Sequence, residues 1–204
     1  GAAAKRDIVP VLVEGLRRLE YRGYDSCGVA VQINDTLQRV RTVSRVADLD
    51  TQIQTHAIHA DTGIAHTRWA THGAPSTRNA HPMFSREQIA LVHNGIIENY
   101  QPLKQQLEKD GYKFQSETDT EVVAHLIDKY LEKGQGLADA VRSATKDVRG
   151  SYALAVISEK EPGTLIAARS GCPLVVGRTK QASFVASDVM AMLAHTRDVT
   201  YLEE

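Results

Sequence analysis

Eight consecutive residues, His66-Thr-Arg-Trp-Ala-Thr-His-Gly73, set a guanidinium, an indole, two hydroxyls and two imidazoles side by side. Arg68 can hold a planar carboxylate through two parallel charge-assisted hydrogen bonds, a geometry that lysine does not reproduce. Thr71 and His72 add short donors beside it. The segment opens as a strand in Gly63-Ile-Ala-His-Thr-Arg-Trp-Ala70 and breaks at Thr71-His72-Gly73 into a loop carrying Pro75, Ser76 and Asn79. A strand that runs out into such a loop is where a rigid scaffold presents a binding site. The plainer reading of Arg68 and His66 is a salt-bridged strand face.

Two other segments are as dense in polar groups. Asn94-Gly95 follows the apolar run Ile89-Ala-Leu-Val-His93. It has the form of an oxyanion hole, a carboxamide and a glycine N–H presented together where a strand stops. Its alternative is an ordinary Asn-Gly turn. Ser116-Glu-Thr-Asp-Thr-Glu121 offers Asp119 either as an acceptor for an ammonium group or as a helix-capping residue. A cationic fork at Arg68 and an acceptor at Asp119 together suit a small zwitterion such as an amino acid.

The elements that must position these loops follow from periodicity and punctuation. Asp7 can cap a helix running to about Glu20, with Leu12, Leu16 and Leu19 on one face. Strands are expected over Cys27–Ile33 and Leu37–Val43, joined by a hairpin turn at Asn34-Asp35. A short helix from Val46 to about His56, the strand from Gly63 and a loop to Phe84 follow. The Ile89–His93 strand stops at Asn94-Gly95. Asn99 caps a helix from Tyr100 to Lys109, the Ser116–Glu121 stretch opens a helix through Leu131, and a third runs from Leu137 to Val148. Short strands then recur over Ser151–Ser158, Thr164–Ala168, Leu174–Gly177 and Ser183–Ala186, with a helical turn at Met190–Ala194 and a last strand at Val199–Leu202. Strands in runs, with helices grouped between the runs, favour antiparallel sheets covered by helices over a doubly wound parallel sheet. No repeat, low-complexity tract or linker divides the chain, so residues 1–204 are read as one domain.

Composition bounds the function. The chain is 42% hydrophobic and 24% charged, with a formal net charge of −1. Such a balance gives no field to attract nucleic acid or an anionic membrane, and no apolar run is long enough to span one. The start, Gly1-Ala-Ala-Ala-Lys-Arg-Asp7, lacks the pattern of a signal peptide, so a cytoplasmic location is expected. His56 and His59, or His66 and His72, are not joined by a cysteine or carboxylate cluster, so no metal and no cofactor is expected.

Longer motifs carry a specific resemblance. Leu16-Arg-Arg-Leu-Glu-Tyr-Arg-Gly-Tyr-Asp-Ser26, His66–Gly73, His93-Asn-Gly-Ile-Ile-Glu-Asn99, Ser116–Glu121, Ala168-Arg-Ser-Gly-Cys-Pro-Leu-Val-Val-Gly177 and Ala186-Ser-Asp188 follow in order along the chain. Together they resemble the glutaminase domain of class II glutamine amidotransferases. The segment Glu20–Ser26 and Ile96-Ile97 resemble members that aminate fructose 6-phosphate more than the purine-pathway amidotransferase. The resemblance implies an α+β fold of N-terminal-nucleophile hydrolase type, a four-layer sandwich of two stacked antiparallel sheets between helical layers. It implies that Arg68, Thr71 and His72 hold the α-carboxylate of L-glutamine, and that Asp119 with the Gly95 region holds its α-ammonium. Asn94 and Gly95 would stabilise the tetrahedral oxyanion, Trp69 would stand near the exit for ammonia, and Arg22 close to the nucleophile. The products are L-glutamate and ammonia, the latter passed to a C-terminal sugar-phosphate isomerase region of the same full-length enzyme.

The family nucleophile is a cysteine opening a Cys-Gly-Ile-Val-Gly start, and Gly1 resembles the continuation of that start. The expected nucleophile therefore precedes Gly1. Its thiolate attacks the side-chain amide and its α-amino group, with a reference pKa near ~7.7–8.0, serves as base. Cys27, at the head of a buried strand, and Cys172, in a Ser-Gly-Cys-Pro turn, have no local base and are read as structural. Two alternatives stay open on the sequence: a non-catalytic glutamine- or glutamate-binding module, and the glutaminase domain of another class II amidotransferase.

Overall fold

The hairpin signal at Asn34-Asp35 is realised directly: both residues have positive φ, 49° and 63°, as a two-residue turn matched to strand twist requires. In the computed structural model, which describes residues 1–23, 25–69 and 73–203, the strands in chain order are β1 (Ala2–Ala4), β2 (Ser26–Ile33), β3 (Thr36–Thr42), β4 (Thr62–Arg68), β5 (Met83–Ser85), β6 (Ile89–Ile97), β7 (Gly150–Ser158), β8 (Leu165–Ser170), β9 (Val175–Arg178), β10 (Ala182–Ala186) and β11 (Val199–Tyr201). The helices are α1 (Val9–Leu19), α2 (Val46–Thr55), α3 (Tyr100–Lys109), α4 (Glu121–Glu132) and α5 (Leu137–Asp147). Among the described residues the strands form a seven-stranded sheet, β11-β9-β10-β1-β4-β2-β3, and a four-stranded sheet, β5-β6-β7-β8, with antiparallel pairing throughout.

The period-two alternation of the central strands sorts their side chains into separate cores. Leu12 and Leu16 of α1 with Leu49 and Ile53 of α2 bury Val29 and Val31 of β2 on one outer face. Ile89, Leu91, Leu154 and Val156 point the other way from the four-stranded sheet, onto Val122, Leu126 and Val141 of α4 and α5. The intervening residues of both sheets, Ala30, Ile64, Ala90, Val92, Ala155 and Ile157, meet in a third cluster between them. The layers thus run helix, sheet, sheet, helix: the expected α+β four-layer sandwich. No helix among the described residues is long and apolar enough to cross a membrane.

Local expectations fail in instructive ways. The strand expected to stop at Asn94-Gly95 continues to Ile97, pairing with β7 up to Ile97↔Gly150. Asn94-Gly95 is therefore neither a strand end nor a turn. Gly95 makes this possible: its φ is +124°, and a Cβ there would lie 2.1 Å from the Ser151 carbonyl oxygen. β5 begins within the stretch read as loop and ends one residue beyond it. β1 was not anticipated, because three alanines carry little strand preference of their own; pairing with both β4 and β10 imposes it. Asn99 does not cap α3 with its side chain, which instead donates to Asp147 O (2.8 Å) and accepts from Arg149 N (2.8 Å). The capping expected of Asp7 survives in altered form, with its Oδ1 accepting the Val9 and Ala60 N–H groups at 3.1 Å.

Truncating Ile64 to alanine removes a fully buried side chain from the inter-sheet cluster. Ile64→Ala should cost about 2–5 kcal/mol in urea unfolding, whereas Val43→Ala, at a half-exposed position, should stay within ~0.5 kcal/mol. Equal costs at the two positions would refute the assignment of Ile64 to a packed inter-sheet layer.

Candidate active site

Following the facing strands past that apolar centre leads to the polar residues. Along β4, Ile64, His66 and Arg68 share a face; along β6, Ala90, Val92 and Asn94 do. Apolar side chains give way to His66, Arg68 and Asn94, which line a cleft of about 340 Å³. Its wall also includes Arg22, Trp69, Gly95 and Asp119. The six described residues singled out in the sequence therefore converge on one cavity. Thr71 and His72 lie outside the described residues.

Arg68 is 4% exposed, and its Nη2 donates to the Gly73 carbonyl oxygen at 3.3 Å. Burial lowers its pKa, while the charges of Asp25 and Asp119 act to hold it up. A cation kept out of water beside carboxylates is a preformed receptor for a ligand carrying both signs. Asp119 is itself 3% exposed, and its Oδ2 accepts the Ile97 N–H at 2.7 Å. That bond ties the acidic loop to the strand bearing Asn94 and Gly95. Asn94 Oδ1 lies 2.8 Å from His66 Nε2.

Trp69 is 67% exposed. Its ring lies over the Gly23 turn so closely that a Cβ on Gly23 would come within 2.7 Å of it. Arg22 Nη1 donates to Ser187 Oγ at 3.1 Å, and Tyr21 to Asp188 Oδ2 at 2.9 Å, joining that turn to the far rim of the cleft. Burial pushes the Cys27 thiol up to about 12, with Glu20 and Asp48 adding to it, and its Sγ donates to Ser44 O at 3.4 Å. Neither Cys27 nor Cys172 lines the cleft.

Sequence reasoning passed over the groups that hold the two loops together. The Asn79 side chain donates to Glu117 Oε2 (3.0 Å) and to Ala74 O (2.9 Å) and accepts the Glu117 N–H (2.9 Å). Arg39 and Arg41, alternate residues of β3, donate to Pro82 O (3.1 Å) and Ala80 O (2.9 Å). His81 Nε2 and His93 Nδ1 share the Thr120 hydroxyl at 3.1 and 2.9 Å, and the His81 ring lies 4.2 Å from that of His66. The sequence signal was limited to an unusual histidine count, because these contacts link segments far apart in the chain.

Two antiparallel sheets stacked between helices, with this cleft at the polar end of their seam, form the fold of amidotransferases of the N-terminal-nucleophile type. Two solved structures share this architecture. One is the glutamine phosphoribosylpyrophosphate amidotransferase from B. subtilis complexed with ADP and GMP, with a TM-score of 0.81 and 27% identity over 98% of this chain and 43% of that one. The other, an allosteric regulatory enzyme of purine biosynthesis, gives 0.83 and 30% over the same shares. The chain belongs to the glutamine amidotransferase domain family, which matches residues 66–194. Over its full length it is 52% identical to the glutamine–fructose-6-phosphate aminotransferase [isomerizing] of Bordetella pertussis and 53% identical to that of Acidithiobacillus ferridurans. It spans 34% of the length of each.

The buried imidazoles give the domain an acid-side liability. Burial lowers His66 from 6.5 to about 4, against the raising effect of its Asn94 hydrogen bond, and holds His81 well below 6.5. Between the folded and unfolded values the unfolded chain binds more protons, so acidification from 6.5 downward favours unfolding and stability returns as pH rises. The slope is at most about 1.4 kcal/mol per pH unit for each histidine. The urea midpoint should therefore fall between about pH 7 and about pH 5, less steeply in His81→Gln. A midpoint constant across that range would show that the imidazoles are not held neutral.

Proposed function

We propose that this domain hydrolyses L-glutamine to L-glutamate and ammonia. The observation that carries the reading is the convergence of Arg68 and Asp119 on one cleft with Asn94-Gly95. An amino acid with a side-chain amide needs those three partners at once. Arg68, with Thr71 and His72 from the loop that follows it, takes the α-carboxylate; Asp119 and the Gly95 region take the α-ammonium. Asn94 and the Gly95 N–H receive the oxyanion that develops on the amide carbonyl. Trp69 borders the exit for ammonia, and Arg22 stands near the nucleophile.

The nucleophile in this reading is a cysteine ahead of Gly1. β1 lies between β4 and β10 with Ala2 opposite Gly63 and Phe184. A Cys-Gly-Ile-Val stretch in front of Gly1, kept in that register, brings its cysteine level with Arg68 at the cleft. The thiolate adds to the amide carbon, ammonia leaves with the proton relayed by the cysteine α-amino group, and water then cleaves the thioester to glutamate. Residues 1–204 act as one glutaminase domain of a longer cytoplasmic enzyme. There a sugar-phosphate isomerase region uses the ammonia to convert fructose 6-phosphate to glucosamine 6-phosphate for hexosamine biosynthesis. The names of relatives identical at half of all positions support that acceptor.

In the cysteine-initiated protein, Arg68→Ala should raise KM for glutamine from about tenfold to ~150-fold, the equivalent of losing a charged hydrogen-bond partner worth ~1.5–3 kcal/mol. Unchanged KM would remove the carboxylate clamp. Replacing the leading cysteine by alanine should abolish ammonia release while glutamate still binds calorimetrically; retained turnover would overturn the assigned nucleophile.

A further inference from the structure

The His66–Asn94 contact crosses from one sheet to the other, and nothing in the clamp or the nucleophile requires it. We propose that His66 is a positioning residue that decides which end of the Asn94 carboxamide faces the cleft. The proposal rests on the oxyanion role given to Asn94 above.

A carboxamide has a donor end and an acceptor end of nearly the same shape, and only the donor end stabilises an oxyanion. Asn94 lines the cleft half-buried, so rotation about its terminal torsion would present either end to substrate. In the structure Oδ1 lies 2.8 Å from His66 Nε2. Among the described residues, the Asn94 side chain makes its one hydrogen bond through Oδ1, so the Nδ2 end is left for the ligand. Two arrangements satisfy that contact. In the first, Nε2–H donates to Oδ1 and Nδ2 faces the cleft. In the second, a proton on Nδ1 leaves Nε2 to accept from Nδ2, and Oδ1 faces the cleft, where it would repel an oxyanion.

The surroundings choose the first. His66 Nδ1 is buried without a hydrogen-bond partner. Folded proteins very rarely bury an N–H without an acceptor, and they leave acceptors under-satisfied more readily. The proton therefore sits on Nε2. The ring itself is held in place by its neighbour: His81 lies 4.2 Å away, centroid to centroid, and is anchored on Thr120. Burial keeps His66 neutral well below neutral pH, and the same Nε2–H would persist even in the protonated ring. In this arrangement His66 acts through Asn94, so its loss must appear in the chemical step and spare ground-state binding of glutamine.

The test is a double-mutant cycle on glutamine hydrolysis by the full-length, cysteine-initiated enzyme. His66→Met keeps volume without a donor, and His66→Gln restores an N–H near the Nε2 position. The expected result is a fall in kcat of at least ~10-fold for His66→Met, bounded by the ~10²–10³-fold that loss of an oxyanion donor costs. KM should be unchanged and activity largely recovered in His66→Gln. Asn94→Ala combined with His66→Met should be no slower than Asn94→Ala alone, because the two act as a unit. Additive losses, or a rise in KM with kcat intact, would show a merely structural histidine and overturn the proposal. Full activity in Asn94→Ala would overturn it together with the oxyanion assignment. A slow Asn94→Ala enzyme beside a fully active His66→Met would sink the positioning role alone. Should His66→Met not fold, His66→Gln and His66→Glu decide: Glu offers only acceptors when ionised, so it must be slower than Gln, and equal rates would refute the proposal.

Discussion

The structure depends on how closely its two sheets approach. Ala30 of the seven-stranded sheet and Ala90 and Ala155 of the four-stranded one leave little side-chain bulk between them, with Ile64, Val92 and Ile157 filling what remains. Sheets packed face to face in this way interlock through alternate residues. The register that buries Ile64 and Val92 therefore also fixes His66, Arg68 and Asn94, the next residues on the same faces. The site is the polar continuation of the hydrophobic seam. A slip of one residue in either strand would turn every one of these groups to the opposite face.

The seam also sets the electrostatics. Arg68 is held out of water with Asp25 and Asp119 exerting opposite charge on it, so the cleft carries both signs before any ligand arrives. Asp119 in turn is held by the backbone of β6, and Asn79 ties the loop beyond β4 to Glu117. Each loop is fastened to the element opposite it. A receptor organised in advance in this way spends less binding free energy on ordering itself, leaving more for discrimination between ligands.

Much of the scaffold was legible because its signals are local. The periods of α1, α4 and α5, the hairpin at Asn34-Asp35 and the run of short strands after Gly150 all survive in the structure. What was misread depended on distant neighbours. Gly95 looked like the end of a strand, with an Asn-Gly turn as the alternative; within β6 it is required because the Ser151 carbonyl oxygen passes where its Cβ would be. Asn99 and Asp119 looked like caps, and both use their side chains elsewhere, Asn99 on Asp147 and Arg149 and Asp119 on the Ile97 N–H.

The sequence by itself determined the inventory of chemical groups, the class of fold and the segments in which the polar residues fall. Side-chain types and short-range periodicity are written residue by residue, and they need no knowledge of what lies across the molecule. Only the tertiary structure decided that β1 exists, that Arg68 and Asp119 share a buried cleft, and that His66 meets the oxygen of Asn94. Those facts follow from pairing and packing between segments far apart in the chain. There the free energy comes from burial and from closing hydrogen bonds between sheets, which no local pattern encodes.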